Sequence, residues 1–127
     1  MARTIIQGGT VVSSEGTATA DVVIEGEQIA QVVMRAEPHP GDIVIDARDL
    51  LVLPGIVDAH THIQLDTGIY RTADNWETGT RTAAAGGVTT VIDFATQFPG
   101  QTFAEAIHNR HTEASSAIVD YALHCMI

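Results

Sequence analysis

The run LLVLPGIVDAHTHIQ, residues 50–64, decides how this chain is interpreted. It is an apolar, strand-like stretch that carries a Pro-Gly pair and ends in Asp-x-His-x-His. Side chains alternate between the two faces of a strand, so Asp58, His60 and His62 are expected to share one face if the strand continues through them. Two imidazoles on one rigid edge suit a borderline-soft divalent metal such as zinc. The stretch therefore predicts a metal site with His60 and His62 as ligands.

The remaining ligands of such a site are not evident from the sequence. A catalytic zinc normally takes three protein ligands, and one strand supplies two. His108 and His111 lie three apart on a predicted helix without an HExxH pattern, so we expect a solvated helix face. His124 is expected to be a hydrogen-bonded core histidine or one that supports a ligand. Asp58 is predicted either to orient a ligand histidine or to make a structural hydrogen bond.

Composition limits the class of protein. The 127 residues suffice for a hydrophobic core, and 16 acidic residues against 6 Arg give a formal charge of −10. This balance argues against nucleic acid and anionic membrane surfaces as partners. The single cysteine, Cys125, fits a reducing compartment, and the chain opens with no apolar signal segment. A cytoplasmic protein is the resulting expectation.

The chain divides into two differently patterned parts, residues 1–53 and 54–127. The first consists of short strand-like runs separated by turns, with a hairpin signal at Glu25-Gly26-Glu27. It predicts a small antiparallel sheet or half sandwich of about six strands. The second part alternates predicted strands at 56–60, 89–95 and 119–127 with helices near 75–85 and 103–114, the spacing of βαβ units.

The helix starts carry capping signals. Asp74 with Glu77, and Thr102 with Glu105, have the spacing of capping boxes. The resulting βαβαβ order fits either half of an open doubly wound sheet or three eighths of a (β/α)₈ barrel. No Gly-x-Gly-x-x-Gly follows a strand, so the sequence does not support a dinucleotide-binding site. Candidate ligands at the carboxyl end of the first strand favour the barrel, where the chemistry sits on that face.

Three segments resemble the hydantoinase and dihydropyrimidinase branch of the metal-dependent amidohydrolases. They are PGIVDAHTHI, DNWETGTRTAAAGGVTTVIDFA and VDYALHCMI, and the N-terminal β segment matches more loosely. The His-x-His edge is typical of the whole superfamily, whereas GTRTAAAGGVTTVIDFA is more specific to the branch. Dihydroorotases resemble the chain too, but they typically carry an Arg where Gln64 stands. An allantoinase-like enzyme is a further alternative.

The resemblance implies the first three strands of a TIM-type (β/α)₈ barrel, preceded by part of a small β-sandwich. It implies a binuclear zinc site in which His60 and His62 bind one ion and a carboxylated Lys bridges both. The reaction implied is hydrolysis of a non-peptide carbon–nitrogen bond in a cyclic amide or ureide, such as a hydantoin or dihydropyrimidine ring. Leu65 and Thr67 match gate positions over the substrate in the loop that follows the histidines.

The sequence departs from the family pattern because it contains no Lys and no match to the later ligands. We therefore expect an N-terminal portion of such an enzyme that is inactive alone and that pairs with a complementary C-terminal polypeptide or self-associates. Apolar faces should then be exposed at five positions: Ile56, Val57, Val91, Ile92 and Leu123. Two alternatives remain, a non-catalytic truncated homologue and a metal-binding module that uses the two histidines alone.

Overall fold

The structure, a computed structural model, describes residues 2–126. The chain forms two compact units, one up to Pro54 and the other from Gly55 onward. In the described part of the chain, no helix has the length and apolar character needed to cross a membrane.

The first unit is a single five-stranded sheet. Its strands are β1 (Arg3–Ser13), β2 (Gly16–Glu25), β3 (Gln28–Val33), β4 (Ile43–Asp46) and β5 (Leu51–Val52). The order is β3-β2-β1-β4, and β5 also pairs with β1. The predicted hairpin is confirmed as the antiparallel pair of β2 and β3. The prediction of an antiparallel sheet is wrong in part, because β4 and β5 run parallel to β1.

A bulge explains why this sheet has fewer strands than the sequence predicts. β1 passes through Gly8-Gly9 as one strand, with a register shift between Ile6 and Gly9. Gly8 has a φ of 77°, which a residue without Cβ adopts without strain. Its freed N–H donates to the buried carboxylate of Asp21 at 2.7 Å, and this carboxylate also accepts from the Ala36 N–H at 2.8 Å. The side chain thus joins the bulge to the segment after β3.

The second unit alternates strands and helices. Its elements are β6 (Ile56–Asp58), α1 (Trp76–Ala85), β7 (Val88–Thr96), α2 (Phe103–Glu113), a 3₁₀ turn (Ala114–Ser116) and β8 (Asp120–Met126). The three strands form a parallel sheet in the order β6-β7-β8, so the predicted α/β pattern is confirmed. Ile127, the predicted end of the last strand, lies outside the described residues.

The first strand of this unit is shorter than predicted, since it ends at Asp58 and not at His60. The His60 N–H donates to the Asp58 side chain at 3.2 Å, which turns the chain out of the ladder. The Thr61 N–H nevertheless bonds the Ile92 carbonyl at 3.0 Å. The segment therefore stays beside β7 although it is no longer a strand.

Side-chain caps begin both helices. Thr102 and Glu105 form the predicted capping box of α2. The backbone N–H and the hydroxyl of Thr102 both donate to the Glu105 carboxylate and hold the pKa of Glu105 below its usual range. The prediction for α1 is off by one residue. Its box is formed by Asn75 and Thr78, with the Asn75 side chain accepting from the Thr78 N–H at 2.8 Å.

Both helices cover the same face of the parallel sheet. Trp76 of α1, Val91 of β7 and Ala114 after α2 form one buried cluster. The predicted exposure of Val91 is therefore wrong, because the residue is 1% exposed under the helices. Ile56 and Val57 are exposed as predicted, at 55% and 56%. Ile92 and Leu123 are half-buried.

Candidate metal centre

The two candidate ligands lie together at the carboxyl end of β6. The ring centroids of His60 and His62 are 5.1 Å apart, with the planes edge to face at 86°. Both rings contact Phe94 of β7, at centroid distances of 4.6 Å and 4.9 Å. The predicted alternation therefore brings the two imidazoles to one side of the segment although the strand has ended.

This spacing fits two ligands of one ion. Two imidazoles that bind a tetrahedral zinc through nitrogens about 2.1 Å away have centroids roughly 5 Å apart. His60 and His62 are exposed, so an ion can reach them. Within residues 2–126, no group of three or more His, Cys, Asp or Glu side chains is arranged to hold a metal ion. The described residues therefore fit half of a zinc coordination shell.

The residues beside the histidines have distinct surroundings. Asp58 accepts from the His60 peptide N–H and therefore orients this residue through its backbone. His124 is exposed, so the expectation of a core histidine is wrong. Its ring centroid lies 5.1 Å from that of Phe94, which places Phe94 against three histidine rings.

The two histidines of α2 are exposed, as predicted for a solvated helix face. His111 lies 3.0 Å from the Tyr121 hydroxyl.

The opposite side of the same segment is attached to a residue to which the sequence assigned no chemistry. Asp93 of β7 is 0% exposed and accepts from the Ile63 N–H at 2.7 Å and the Thr61 hydroxyl at 3.1 Å. Arg110 of α2, 6% exposed, pairs with it at 2.5 Å. The available signal was one acidic residue in an apolar strand that precedes a helix containing an Arg.

The loop that follows the histidines is internally bonded. Leu65 and Thr72 exchange hydrogen bonds of 2.9 Å and 3.0 Å. The Thr67 hydroxyl accepts from the Tyr70 N–H at 3.0 Å and so belongs to the turn. Asp66 pairs with Arg71 at 2.6 Å, and this guanidinium together with a backbone N–H holds the pKa of Asp66 below its usual range.

The two predicted gate residues differ in their surroundings. Leu65 is half-buried and lines a cleft of about 190 Å³ together with Phe94 and Thr96 of β7. Thr67 is exposed. Leu65 thus shares a cleft with Phe94, which contacts both histidines.

Comparison with known proteins extends these observations. No protein-family model matches the chain. The D-hydantoinase of Streptomyces coelicolor is 39% identical over 130 residues, covering 98% of this chain and 28% of its own length. The D-hydantoinase of Geobacillus stearothermophilus is 40% identical over 124 residues, covering 97% and 26%.

Solved structures give the same result. A D-hydantoinase crystal structure superposes with a TM-score of 0.93 at 39% identity, covering 98% of this chain and 27% of the other. The chain is homologous to an N-terminal portion of the D-hydantoinases and dihydropyrimidinases. The dihydropyrimidinase of Brevibacillus agri NCHU1002 superposes with a TM-score of 0.92 at 37% identity, with the same coverage. The sequence thus spans little more than a quarter of the length of these D-hydantoinase and dihydropyrimidinase relatives.

Proposed function

We propose that this sequence supplies one edge of the metal site in an enzyme that hydrolyses cyclic amides or ureides at a non-peptide carbon–nitrogen bond. The observation that carries the proposal is the His60–His62 pair, with ring centroids 5.1 Å apart at the carboxyl end of a parallel strand. The homology to D-hydantoinases and dihydropyrimidinases makes hydantoin and dihydropyrimidine rings the expected substrates.

A barrel is the architecture we propose for the second unit. The strand order β6-β7-β8 advances in one direction, and both helices pack on one face. Right-handed crossovers give this arrangement in a (β/α)₈ barrel, whereas a doubly wound sheet reverses its order. We propose that the sheet of the first unit is part of the small β-sandwich. The predicted boundary between sandwich and barrel lies between residues 53 and 54.

The proposed metal is zinc in a binuclear site, with His60 and His62 holding one ion. When bound, the metal supplies hydroxide near neutral pH and polarises the carbonyl of the ring that opens. The chain's own residues orient the ligands: Asp58 binds the His60 amide, and Phe94 supports both rings. The bridging carboxylated Lys implied by the family must come from other residues, because these 127 contain no Lys.

Substrate selection is assigned to the loop after the histidines, with Leu65 and Thr67 as gate positions. The position of Leu65 at the cleft beside Phe94 supports its part in this assignment.

Gln64 favours the hydantoinase branch over a dihydroorotase-like enzyme, because dihydroorotases typically carry an Arg at this position. The side-chain oxygen of Gln64 accepts from the Trp76 N–H at 3.1 Å and so caps α1.

A second candidate is a non-catalytic chain that pairs with a complementary polypeptide or with itself. The exposure of Ile56 and Val57 on an edge strand favours it, since paired or covered edges are the norm. Measurement of the mass in solution separates the possibilities: an oligomer or a complex supports pairing, and a soluble monomer contradicts it. A cytoplasmic location remains a proposal based on composition.

The test of the metal proposal is a zinc titration of the 127-residue chain, observed by NMR at the imidazole signals. Both candidate ligands should respond at the same zinc concentration, and His60→Ala should abolish the response of His62. His108→Ala is the matched control, because it removes an exposed imidazole from α2 and should leave the response unchanged. Equal zinc responses in His60→Ala and the wild type would contradict the assignment.

A further inference from the structure

A buried ion pair lies directly behind the candidate ligands. The segment 60–63 presents His60 and His62 to Phe94, while its alternate residues, Thr61 and Ile63, bind Asp93 on the helix-covered face of β7. The ligands and the carboxylate therefore lie on opposite sides of the same short segment. Whatever fixes Thr61 and Ile63 also fixes the two imidazoles.

The Asp93 carboxylate is fully used as an acceptor. One oxygen accepts from the Ile63 N–H at 2.7 Å and the Thr61 hydroxyl at 3.1 Å. The other oxygen accepts from the N–H of the next residue, Phe94, at 2.6 Å. It also accepts from Arg110 Nε at 3.2 Å and from Arg110 Nη2 at 2.5 Å. An ionised carboxylate is acceptor-only, whereas an amide would turn a donor toward one of these groups. No isosteric neutral side chain satisfies this arrangement.

Asp93 and Arg110 together form a clamp on Ile63. Arg110 donates to the Ile63 carbonyl and to Glu113 at 2.6 Å, and its guanidinium stacks 4.9 Å from the Trp76 ring centroid. Ile63 is therefore held at both of its peptide groups, the N–H by Asp93 and the C=O by Arg110. This fixes the backbone immediately after His62.

We propose that Asp93 and Arg110 are positioning residues for the two candidate ligands, acting through the segment that contains them. The inference rests on the proposed metal site. A buried ion pair is a poor source of stability, because desolvation offsets most of the Coulomb attraction. Here the pair instead binds both peptide groups of Ile63 and so restricts the backbone that follows His62. Outer contacts of this kind typically change metal affinity about 10–100-fold when they are lost.

The test compares the wild-type chain with Asp93→Asn and Thr61→Val by zinc titration at the His60 and His62 signals and by amide hydrogen exchange. In folded Asp93→Asn, zinc affinity should fall at least about tenfold and the Ile63 amide should lose protection, while β8 amides stay protected. Thr61→Val keeps the ion pair and removes one anchor, so it should show a smaller loss of affinity. It also keeps the inference testable if Asp93→Asn does not fold.

Asp66→Asn is the matched control, because it breaks an exposed Asp–Arg pair in the loop that follows the histidines. It should change neither readout. A purely structural role would lower the melting temperature of the variants but leave zinc affinity of the folded chain unchanged, and this result overturns the inference. If the wild type itself shows no zinc response, the proposed metal site fails, while the exchange rate of the Ile63 amide still decides whether the clamp orders the segment.

Discussion

Gly55 and Thr89 are in such close contact that a Cβ atom on Gly55 would lie 2.0 Å from the Thr89 hydroxyl oxygen and 2.7 Å from Thr89 Cβ. The contact joins the residue before β6 to the neighbouring strand β7. It also explains the Pro-Gly pair in front of the candidate ligands, since only Gly allows this approach.

The first prediction is that Gly55→Ala lowers the free energy of unfolding by about 1–3 kcal/mol through overpacking. The atoms that it meets belong to the short side chain of Thr89, so relief requires a shift of the backbone. Chemical denaturation measures the change. Gly86→Ala is the control, because the nearest atom to its Cβ is 3.5 Å away and its φ of −87° suits Ala. Equal stability of both variants would contradict the close contact.

The second prediction concerns Thr80, whose buried hydroxyl donates to the Trp76 carbonyl at 2.5 Å and accepts from the Ile118 N–H at 3.1 Å. Thr80→Val keeps the shape but leaves this N–H without its partner, so unfolding free energy should fall by about 1–3 kcal/mol. Thr82→Val removes an exposed hydroxyl from the same helix and should change stability by less than about 0.5 kcal/mol. Thermal unfolding of both variants checks the difference.

The sequence predicts the order of elements well because the signals that specify it are local. Strands and helices alternate in the second unit as the hydrophobic pattern indicates, and the two histidines meet because their spacing has the period of extended chain. The capping box of α2 is confirmed, whereas that of α1 is displaced by one residue. Asp74 and Asn75 are both good cap residues, and the choice between them depends on the path of the preceding loop.

The contacts that organise the candidate site could not be predicted because they join residues far apart in sequence. Asp93 and Arg110 are 17 positions apart, and Ile63 is 47 positions from Arg110. No local pattern pairs a strand carboxylate with the inner face of the following helix. The parallel pairing of β1 with β4 also escaped prediction, since hairpin signals report only neighbouring strands.

A third prediction follows from Asp21 in the first unit. Burial raises the pKa of this carboxyl, but N–H donation from Ala36 and Gly8 outweighs it and lowers the pKa below the ordinary value. A lowered folded-state pKa gives stability that is present above the unfolded value of about 3.9 and is lost as the pH falls through the folded value. The stability difference between the wild type and Asp21→Asn should therefore be constant near neutrality and shrink below about pH 4.

Urea unfolding at a series of pH values measures this difference. Glu27→Gln, at the exposed turn between β2 and β3, removes the same formal charge and is the control. Its stability difference from the wild type should stay small throughout. A stability difference for Asp21→Asn that grows on acidification would show that the buried carboxylate does not favour the folded state.

The last prediction is that the 127-residue polypeptide alone does not open hydantoin or dihydrouracil. Within residues 2–126, His60 and His62 have no third side chain arranged to complete a metal site. Two neutral ligands hold zinc weakly, and the hydrolytic step needs a retained ion to lower the pKa of water and polarise the carbonyl. The assay follows ring opening with zinc added, alongside His60→Ala and a measurement of the mass in solution. Wild type and variant should be equally inactive. Zinc-dependent turnover by a monomer of the wild-type chain, lost in His60→Ala, would show that two histidines suffice.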